Sequence, residues 1–534
     1  MQTSSSSRGV AIGALTSLPV MAVGYLGQRL AALPSPPFTF FDWLTRHLPG
    51  SVVTFGIDLL VRLIRDLGLG STGDVAKTVE RAFAILLFAA LGAFFGAMLS
   101  RAGRKRPLLL PAYGALVGFA VAVSLALMQR SIGSSDAGVF PDWIWLTSLN
   151  IVWGYSLGWL ERASDLAFND DPASPLARRQ FLYLVGGGIL TVTVAPLALS
   201  RWLNREAPEP ADISASKLDP GKTSGPAQSP PQGTLDVRID PALGTRPELT
   251  ATEDFYTIDI NTLPRRIDGD SWRLSVEGLV HTSLTLSLAQ IRVRPAIRQV
   301  ATLSCISNPV GGDLIGTAIW TGIRLSDILA ESGLKSNAKE IRVESADGFY
   351  ESLSLNDAFD ERTLLVYEMN DEPLTQEHGY PLRISIPDRY GMKQPKWITR
   401  LEVIDHDGSG YWVDRGWSQE AFVMQTSVVD HADLDTVGAG AGTLPIGGIA
   451  YAGAKGISRV EVQIDANPWV EAQLRTPPLS PLSWVQWRYD WLFEPGEHTI
   501  GVRAYDGSGR LQESRSRGSR PDGATGIHTF KVRI

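Results

Sequence analysis

Thr302-Leu303-Ser304-Cys305-Ile306-Ser307-Asn308-Pro309 holds the only cysteine in a chain of 534 residues. Two readings of that thiol compete. A lone cysteine is commonly a small buried hydrophobe whose reactivity is never used. As a thiolate it is instead a soft ligand suited to a redox metal. The count itself restricts the chemistry. A single cysteine closes no intrachain disulfide, binds no thiolate-ligated iron–sulfur cluster and offers no CxxCH attachment for a c-type haem. Before His281 the only histidine is His47, outside the apolar runs where a b-type haem would need its ligands. No haem and no iron–sulfur cluster are therefore expected.

Downstream of Cys305 stand Trp320-Thr321-Gly322-Ile323-Arg324-Leu325, then Tyr367-Glu368-Met369-Asn370 and His378-Gly379-Tyr380-Pro381-Leu382-Arg383. Tyr390-Gly391-Met392-Lys393, Lys396-Trp397 and Gly410-Tyr411-Trp412 follow. In this order the set resembles the sulfite oxidase family, also described as the oxidoreductase molybdopterin-binding domain, and the arrangement is similar to a bacterial membrane-anchored branch. The likeness covers roughly residues 250–430. It implies two-electron oxygen-atom transfer at a molybdenum bound by molybdopterin and one protein thiolate. Cys305 matches that metal ligand. His378 and Arg383 match the residues that hold the pterin phosphate, and Lys396 a further cofactor contact. Asn308 and Lys393 are added as cofactor-binding candidates. A phosphate is well served by a guanidinium fork, an imidazole N–H and nearby backbone amides. Asp347 and Tyr350 are candidate catalytic pocket residues, with a plain turn at Ala346-Asp347-Gly348 as the alternative. Trp320 and Trp397 are assigned to core packing.

The chain departs from the family beside the metal ligand. Sulfite oxidases of animals and plants carry paired arginines after the cysteine. Here Val310-Gly311-Gly312-Asp313 brings no cation. An anionic substrate would need its positive partner from elsewhere, with Arg298, Arg389 and Arg415 as candidates. The resemblance therefore leaves a small oxyanion or a sulfoxide-type substrate open, with sulfoxide or N-oxide reduction as the alternative direction. With no haem motif, electrons must pass to a separate protein, such as a c-type cytochrome or a membrane quinol oxidoreductase. A cofactor-free membrane scaffold or adhesion protein is the alternative of another class. Net charge is −7 without a basic stripe, so no nucleic acid is expected as partner.

Residues 1–202 read as an all-α transmembrane helical domain. Apolar runs at 10–30, 82–99, 108–128, 143–160 and 181–199 are each near the roughly 20 residues a span needs. A sixth stretch, 51–67, carries Asp58, Arg62 and Arg65. It reads as an amphipathic helix on the outer surface, with Val53, Ile57, Leu60, Val61 and Ile64 on its apolar face, and Phe55 and Leu59 off it. Five spans follow, or six if that stretch crosses. The basic loop 101–106 and the Arg178-Arg179 pair belong inside, and loop 131–142, without Lys or Arg, outside. This predicts a multi-pass protein of the cell (inner) membrane with its catalytic part on the periplasmic or extracellular side. Arg178-Arg179-Gln180-Phe181-Leu182 also resembles a twin-arginine export signal, although two arginines at a helix end need no such reading.

Residues 203–245 form a flexible Pro/Ser/Ala-rich linker. An α+β molybdopterin-binding domain is expected over 246–430, with strands at 271–279, 339–343 and 382–386 and a helix at 325–332. Strand and turn signals at 460–464, 484–492, 498–504 and 529–534 predict an immunoglobulin-like β-sandwich over 431–534. The Gly-rich run 438–448 is expected as an interdomain loop. The resemblance implies that the sandwich is of dimerisation type, and with it a homodimer.

Overall fold

A computed structural model describes residues 5–103, 106–133, 138–169, 183, 186–199, 239–430 and 443–534. The Arg178-Arg179 pair, Arg104 and Lys105 of the basic loop, residues 134–137, the tether up to 238 and the Gly-rich residues 438–442 lie outside the described residues. The described chain forms two compact units. One joins the residues up to Leu48, the helices from Ala76 onward and Asp259–Arg266; the other joins Pro49–Val75 to the rest.

The first unit contains helices α1 (Ser5–Ala31), α2 (Pro36–His47), most of α4 (Thr72–Gly103), α5 (Leu110–Ile132) and α6 (Val139–Asn169). A helix at Gly186–Leu199 is numbered α7. Among the described residues, three helical stretches are long and apolar enough to cross a membrane: Ser7–Ala31, Thr72–Gly103 and Pro107–Ile132. Small residues let these helices touch. Gly114 and Gly118 of α5 face Gly154 and Gly158 of α6 so closely that any Cβ would strike the opposing backbone. Gly9 and Gly13 of α1 meet Gly92 and Gly96 of α4 in the same way. Two antiparallel small-xxx-small seams thus replace bulky packing, the solution favoured where lipid removes the hydrophobic drive between helices. Asp259–Arg266 is stitched to this unit: Lys77 donates to the carbonyls of Asp259 (3.0 Å) and Asn261 (2.7 Å).

The second unit opens with α3 (Gly50–Asp66). On the face read as apolar, Ile64 is buried and Val53, Ile57, Leu60 and Val61 are partly covered, while Phe55 and Leu59, read as off that face, are exposed. The helix is apolar on both sides.

Two sheets follow, one mixed and one antiparallel. Strands β1 (Arg273–Gly278), β2 (Leu284–Ser287), β5 (Glu340–Ser345), β6 (Tyr350–Ser354) and β10 (Ile398–Ile404) form one sheet in the order β2-β1-β10-β5-β6, with β1 and β10 parallel. Strict alternation places Ile341 and Val343 of β5 inside, against Ile328 and Leu329 of helix α9 (Leu325–Ser332) and Ala358 of helix α10 (Leu355–Phe359). A helical turn, α8 (Leu288–Arg292), begins with a Ser287–Gln290 capping box. The other sheet runs β3 (Ile297–Ser304), β4 (Ile315–Arg324), β7 (Leu364–Met369), β8 (Glu372–Pro373), with β9 (Arg383–Ser385) also on β7.

The C-terminal part is two four-stranded sheets around one core. Their orders are β11-β12-β16-β15 and β14-β13-β17-β18. The strands are β11 (Thr426–Val429), β12 (Leu444–Tyr451), β13 (Ile457–Ile464), β14 (Val470–Glu471), β15 (Gln473–Leu474), β16 (Val485–Trp491), β17 (Glu497–Asp506) and β18 (His528–Arg533). Trp487 is fully enclosed between Ile446, Val462, Val502 and their neighbours. Gly447 and Gly448, expected in a loop, lie in β12, where a side chain on Gly448 would collide with the Val428 carbonyl.

Candidate active site

Cys305 stands at the loop end of the β3–β4 hairpin, immediately after β3. Its backbone N–H donates to the Leu314 carbonyl (2.9 Å) and its carbonyl accepts from Asn308 (3.0 Å). The Asn308 side chain closes the loop again by accepting from the Leu314 N–H (3.0 Å). Asn308 therefore shapes the loop that presents the thiol. The half-buried thiol lies 3.1 Å from the Ser307 hydroxyl. Burial pushes the Cys305 thiol up, against the pull of Ser307 and the local backbone N–H groups. Next to it, Ile306 packs with Tyr390, Met392, Trp417 and Ala421.

His378, Arg383 and Lys396 gather around one turn. Gly379 has φ +105°, and a side chain there would press on Lys396 Cβ (3.0 Å) and Arg383 Cβ (3.2 Å). Arg383 is buried, stacks over Trp320 (4.8 Å) and donates to the His378 carbonyl (3.2 Å). Lys396 donates to the Glu377 carbonyl (2.8 Å). His378 Nε2 lies 3.1 Å from the Thr252 carbonyl. A carbonyl can only accept, so Nε2 carries the proton. Burial, then the charges of Arg383 and Lys396, lower the His378 pKa to about 4. The ring is neutral at pH 7 and its Nδ1 is an acceptor, so a phosphate seated on it would first have to protonate it.

Tyr256 connects these two groups. It stacks on Phe255 (5.5 Å), whose ring meets His378 edge-on (5.8 Å). Burial raises the Tyr256 hydroxyl well above its usual range; a Cys305 charge raises it further and Arg383 lowers it. One phenol is thus within electrostatic reach of both thiol and guanidinium. Nothing in the residue pattern singled Tyr256 out, beyond its place in an aromatic pair ahead of the first strand. Tyr390 is the second phenol beside the thiol. Its hydroxyl accepts from the Met424 N–H (3.0 Å) and burial pushes it up to about 12, with Cys305 raising it and Arg517 lowering it.

The remaining expected residues are engaged with other partners. Lys393 was expected at the cofactor, but its ammonium is committed to Glu351 (2.7 Å) and the Ser352 carbonyl (3.0 Å). Asp347 accepts from the Phe349 N–H (3.0 Å) in the β5–β6 turn, and the Tyr350 hydroxyl donates to Asp414. Of the candidate cations, Arg298 is held by Asp371 (2.8 and 2.9 Å), and Arg389 by Asp357 (2.9 Å) and Glu420 (3.1 Å). Arg415 lies 3.6 Å over the Tyr411 ring. The cation that sequence reading missed is Arg517. It is exposed, it has no ion-pair partner among the described residues, and its backbone is pinned to Thr525 (3.0 Å) in the β17–β18 loop. A side chain on Gly523 of that loop would strike the Tyr390 hydroxyl. A residue more than 200 positions after Cys305 could not be linked to it by spacing.

The donor set fits a molybdenum cofactor. A soft thiol stands at the end of a closed loop, and a guanidinium, an ammonium and an imidazole converge on one turn where an anionic phosphate would be favoured.

Comparison with known proteins agrees. Residues 260–412 match the family model described as oxidoreductase molybdopterin binding domain. The chain is 30% identical over 171 residues to the uncharacterized oxidoreductase YuiH of Bacillus subtilis (strain 168), covering 32% of this chain and 84% of that protein. It is 27% identical to the sulfite oxidase of Arabidopsis thaliana, covering 47% of this chain and 79% of that one. Against human mitochondrial sulfite oxidase it is 29% identical, covering 51% of this chain and 58% of the relative. A solved structure, the sulfane dehydrogenase SoxCD of Paracoccus pantotrophus, superposes with a TM-score of 0.48 at 23% identity, covering 53% of this chain and 81% of that one. The chain belongs to the sulfite oxidase family of molybdopterin-binding oxidoreductases.

Proposed function

We propose that the chain is a membrane-anchored, extracytoplasmic molybdenum-cofactor oxidoreductase that transfers an oxygen atom to or from a small oxyanion or sulfoxide-type substrate. The cofactor supplies the two-electron chemistry when bound. The observation that carries the reading is the convergence of Arg383, His378 and Lys396 on the Gly379 turn, with Tyr256 and Phe255 stacked beside His378 and the Cys305 thiol presented by its own closed loop. Cys305 is the metal ligand. Arg383, Lys396 and His378 hold the phosphate, His378 taking up a proton as the anion seats. Asn308 holds the Cys305 loop in shape. Lys393 acts through Glu351, and Asp347 and Tyr350 through the turn and the Asp414 contact, as positioning residues. Arg517, delivered by the C-terminal sandwich, supplies the positive partner that the run after Cys305 lacks.

Three long apolar helices support anchoring in the cell membrane. The five-span, outside-facing topology, the twin-arginine export route and the domain limits 1–202, 203–245, 246–430 and 431–534 rest on the sequence pattern. The paired four-stranded sheets support an immunoglobulin-like sandwich, and its dimerisation type rests on the family resemblance alone. A separate redox protein, a c-type cytochrome or a membrane quinol oxidoreductase, exchanges the electrons.

The test is molybdenum per chain for the wild type and Cys305→Ala, each made in a cofactor-replete host. It is paired with turnover of sulfite against an artificial electron acceptor and of methionine sulfoxide against a reduced dye. Near-stoichiometric molybdenum with activity lost in Cys305→Ala is expected. Metal-free wild type would overturn the reading and leave a scaffold role. Turnover only of the sulfoxide would set the direction as reduction.

A further inference from the structure

Helix α3 has two dressed faces and only one of them is covered. Thr54 and Ile64 are buried, and on the same side Asp58 pairs with Arg520 (3.0 Å). Gly50 lies so close to Arg415 that a side chain there would come within 2.9 Å of its Cα. Arg520 stands over Trp417 (5.4 Å), in the loop that brings Arg517 and Gly523 to Tyr390. This face of α3 therefore grips the rim of the Cys305 site. The opposite face carries Val52 (50% exposed), Phe55 (67%), Leu59 (46%) and Leu63 (47%). Steps of three and four residues put them on one helical stripe. Arg62, exposed, borders the stripe, where a long side chain can keep its charge in water, and the exposed Asp66 ends the helix in line with it.

The chain on either side of α3 says what meets that stripe. Only Leu48 and Pro49 separate it from α2, whose Phe38 and Phe41 pack with Ala84 and Leu87 at the start of the apolar run of α4. After α3, residues 67–71 lead to α4 and reach at most about 20 Å. Both ends are thus leashed to the boundary where apolar helices leave the lipid. An apolar stripe held there, bordered by charge, has the form of a helix lying in the membrane surface.

We propose that α3 lies in the lipid–water boundary with Val52, Phe55, Leu59 and Leu63 turned into the bilayer, and that its other face clamps the rim of the Cys305 site to that surface. The inference rests on the reading of the protein as membrane-anchored. The test uses the full chain in lipid nanodiscs, with nitroxide labels on Phe55→Cys, Leu59→Cys and Leu63→Cys, and the signal of identically treated wild type subtracted for Cys305. Labels on Leu86→Cys, an exposed position in the apolar run of α4, and Val293→Cys, 84% exposed on the second unit, serve as references. The α3 labels are expected to be relaxed by oxygen and shielded from a water-soluble nickel chelate, as at position 86, while position 293 behaves oppositely. Water-like α3 labels beside a lipid-like position 86 would overturn the α3 proposal and leave anchoring intact. A water-like position 86 would overturn anchoring and the proposal with it. Leu59→Ser and Leu63→Ser, with unchanged molybdenum content, check that the stripe is not needed for folding.

Discussion

The ammonium of Lys393 and the carboxylate of Glu351 form a 2.7 Å ion pair from which solvent is excluded, Glu351 being 0% and Lys393 3% exposed. Lys393 belongs to the helical turn Gly391–Lys393, and Gly391 lies against Tyr256 and Ser304, the residue before the thiol. Burial raises the Glu351 carboxyl, while Lys393 and the Ser352 N–H hold it down. Either partner alone is a bare charge in a dry site. Glu351→Gln or Lys393→Met is expected to lose about 3–5 kcal/mol, and the double variant less than either single. Thermal unfolding of the three proteins measures this; additive losses would show that the pair is not coupled.

Stability of the cofactor-free protein should fall as pH drops from about 6.5 toward 4. His378 is lowered to about 4 in the folded state from an ordinary 6.5. Between those values the unfolded chain binds a proton that the folded chain refuses, so stability rises with pH there. The full difference is roughly 3 kcal/mol. His378→Gln should flatten this part of the profile. Titration of the ring by NMR, with and without cofactor, should show its pKa rising when the phosphate is bound.

Arg517→Gln should weaken an anionic substrate without changing molybdenum content. The expected rise in KM is roughly tenfold, equivalent to about 1.4 kcal/mol. Because Arg517 is exposed, the wild-type KM should climb with ionic strength and the variant's should not. Equal salt dependence in both proteins would remove Arg517 from the site.

Gly154→Leu should disrupt the α5–α6 seam, since its side chain has no room beside the Gly114 carbonyl. Overpacking of this kind costs about 1–3 kcal/mol. The same change at Gly186, where a side chain meets open space, should be tolerated. Heat-induced aggregation in detergent distinguishes the two.

Much of the fold could be read from local patterns. The helix at 325–332 and the strands at 460–464 and 498–504 were expected from periodicity, and the structure has them as α9, β13 and β17. Alternation and helical spacing are local consequences of backbone geometry, so a window of a few residues carries them. The family was equally legible, because its motifs lie along the chain in order.

Contacts between distant segments were not legible. Lys393 and Lys396 are both plausible phosphate ligands by sequence, yet Glu351, some forty residues earlier, takes the first. Arg298 and Arg389 are spent on Asp371, Asp357 and Glu420, and the charge of Arg517, from another sheet pair, bears on Tyr390. For α3, which apolar face is covered depended on where Arg415 and Arg520 stand. The sequence alone determined which elements form, which thiol is available and which chemistry the motif set implies, because those follow from nearest neighbours and residue type. Only the tertiary structure decided which cations remain unpaired near the thiol and which helix face stays bare. A charge's availability depends on partners brought within a few ångströms by folding, and no spacing along the chain encodes that distance.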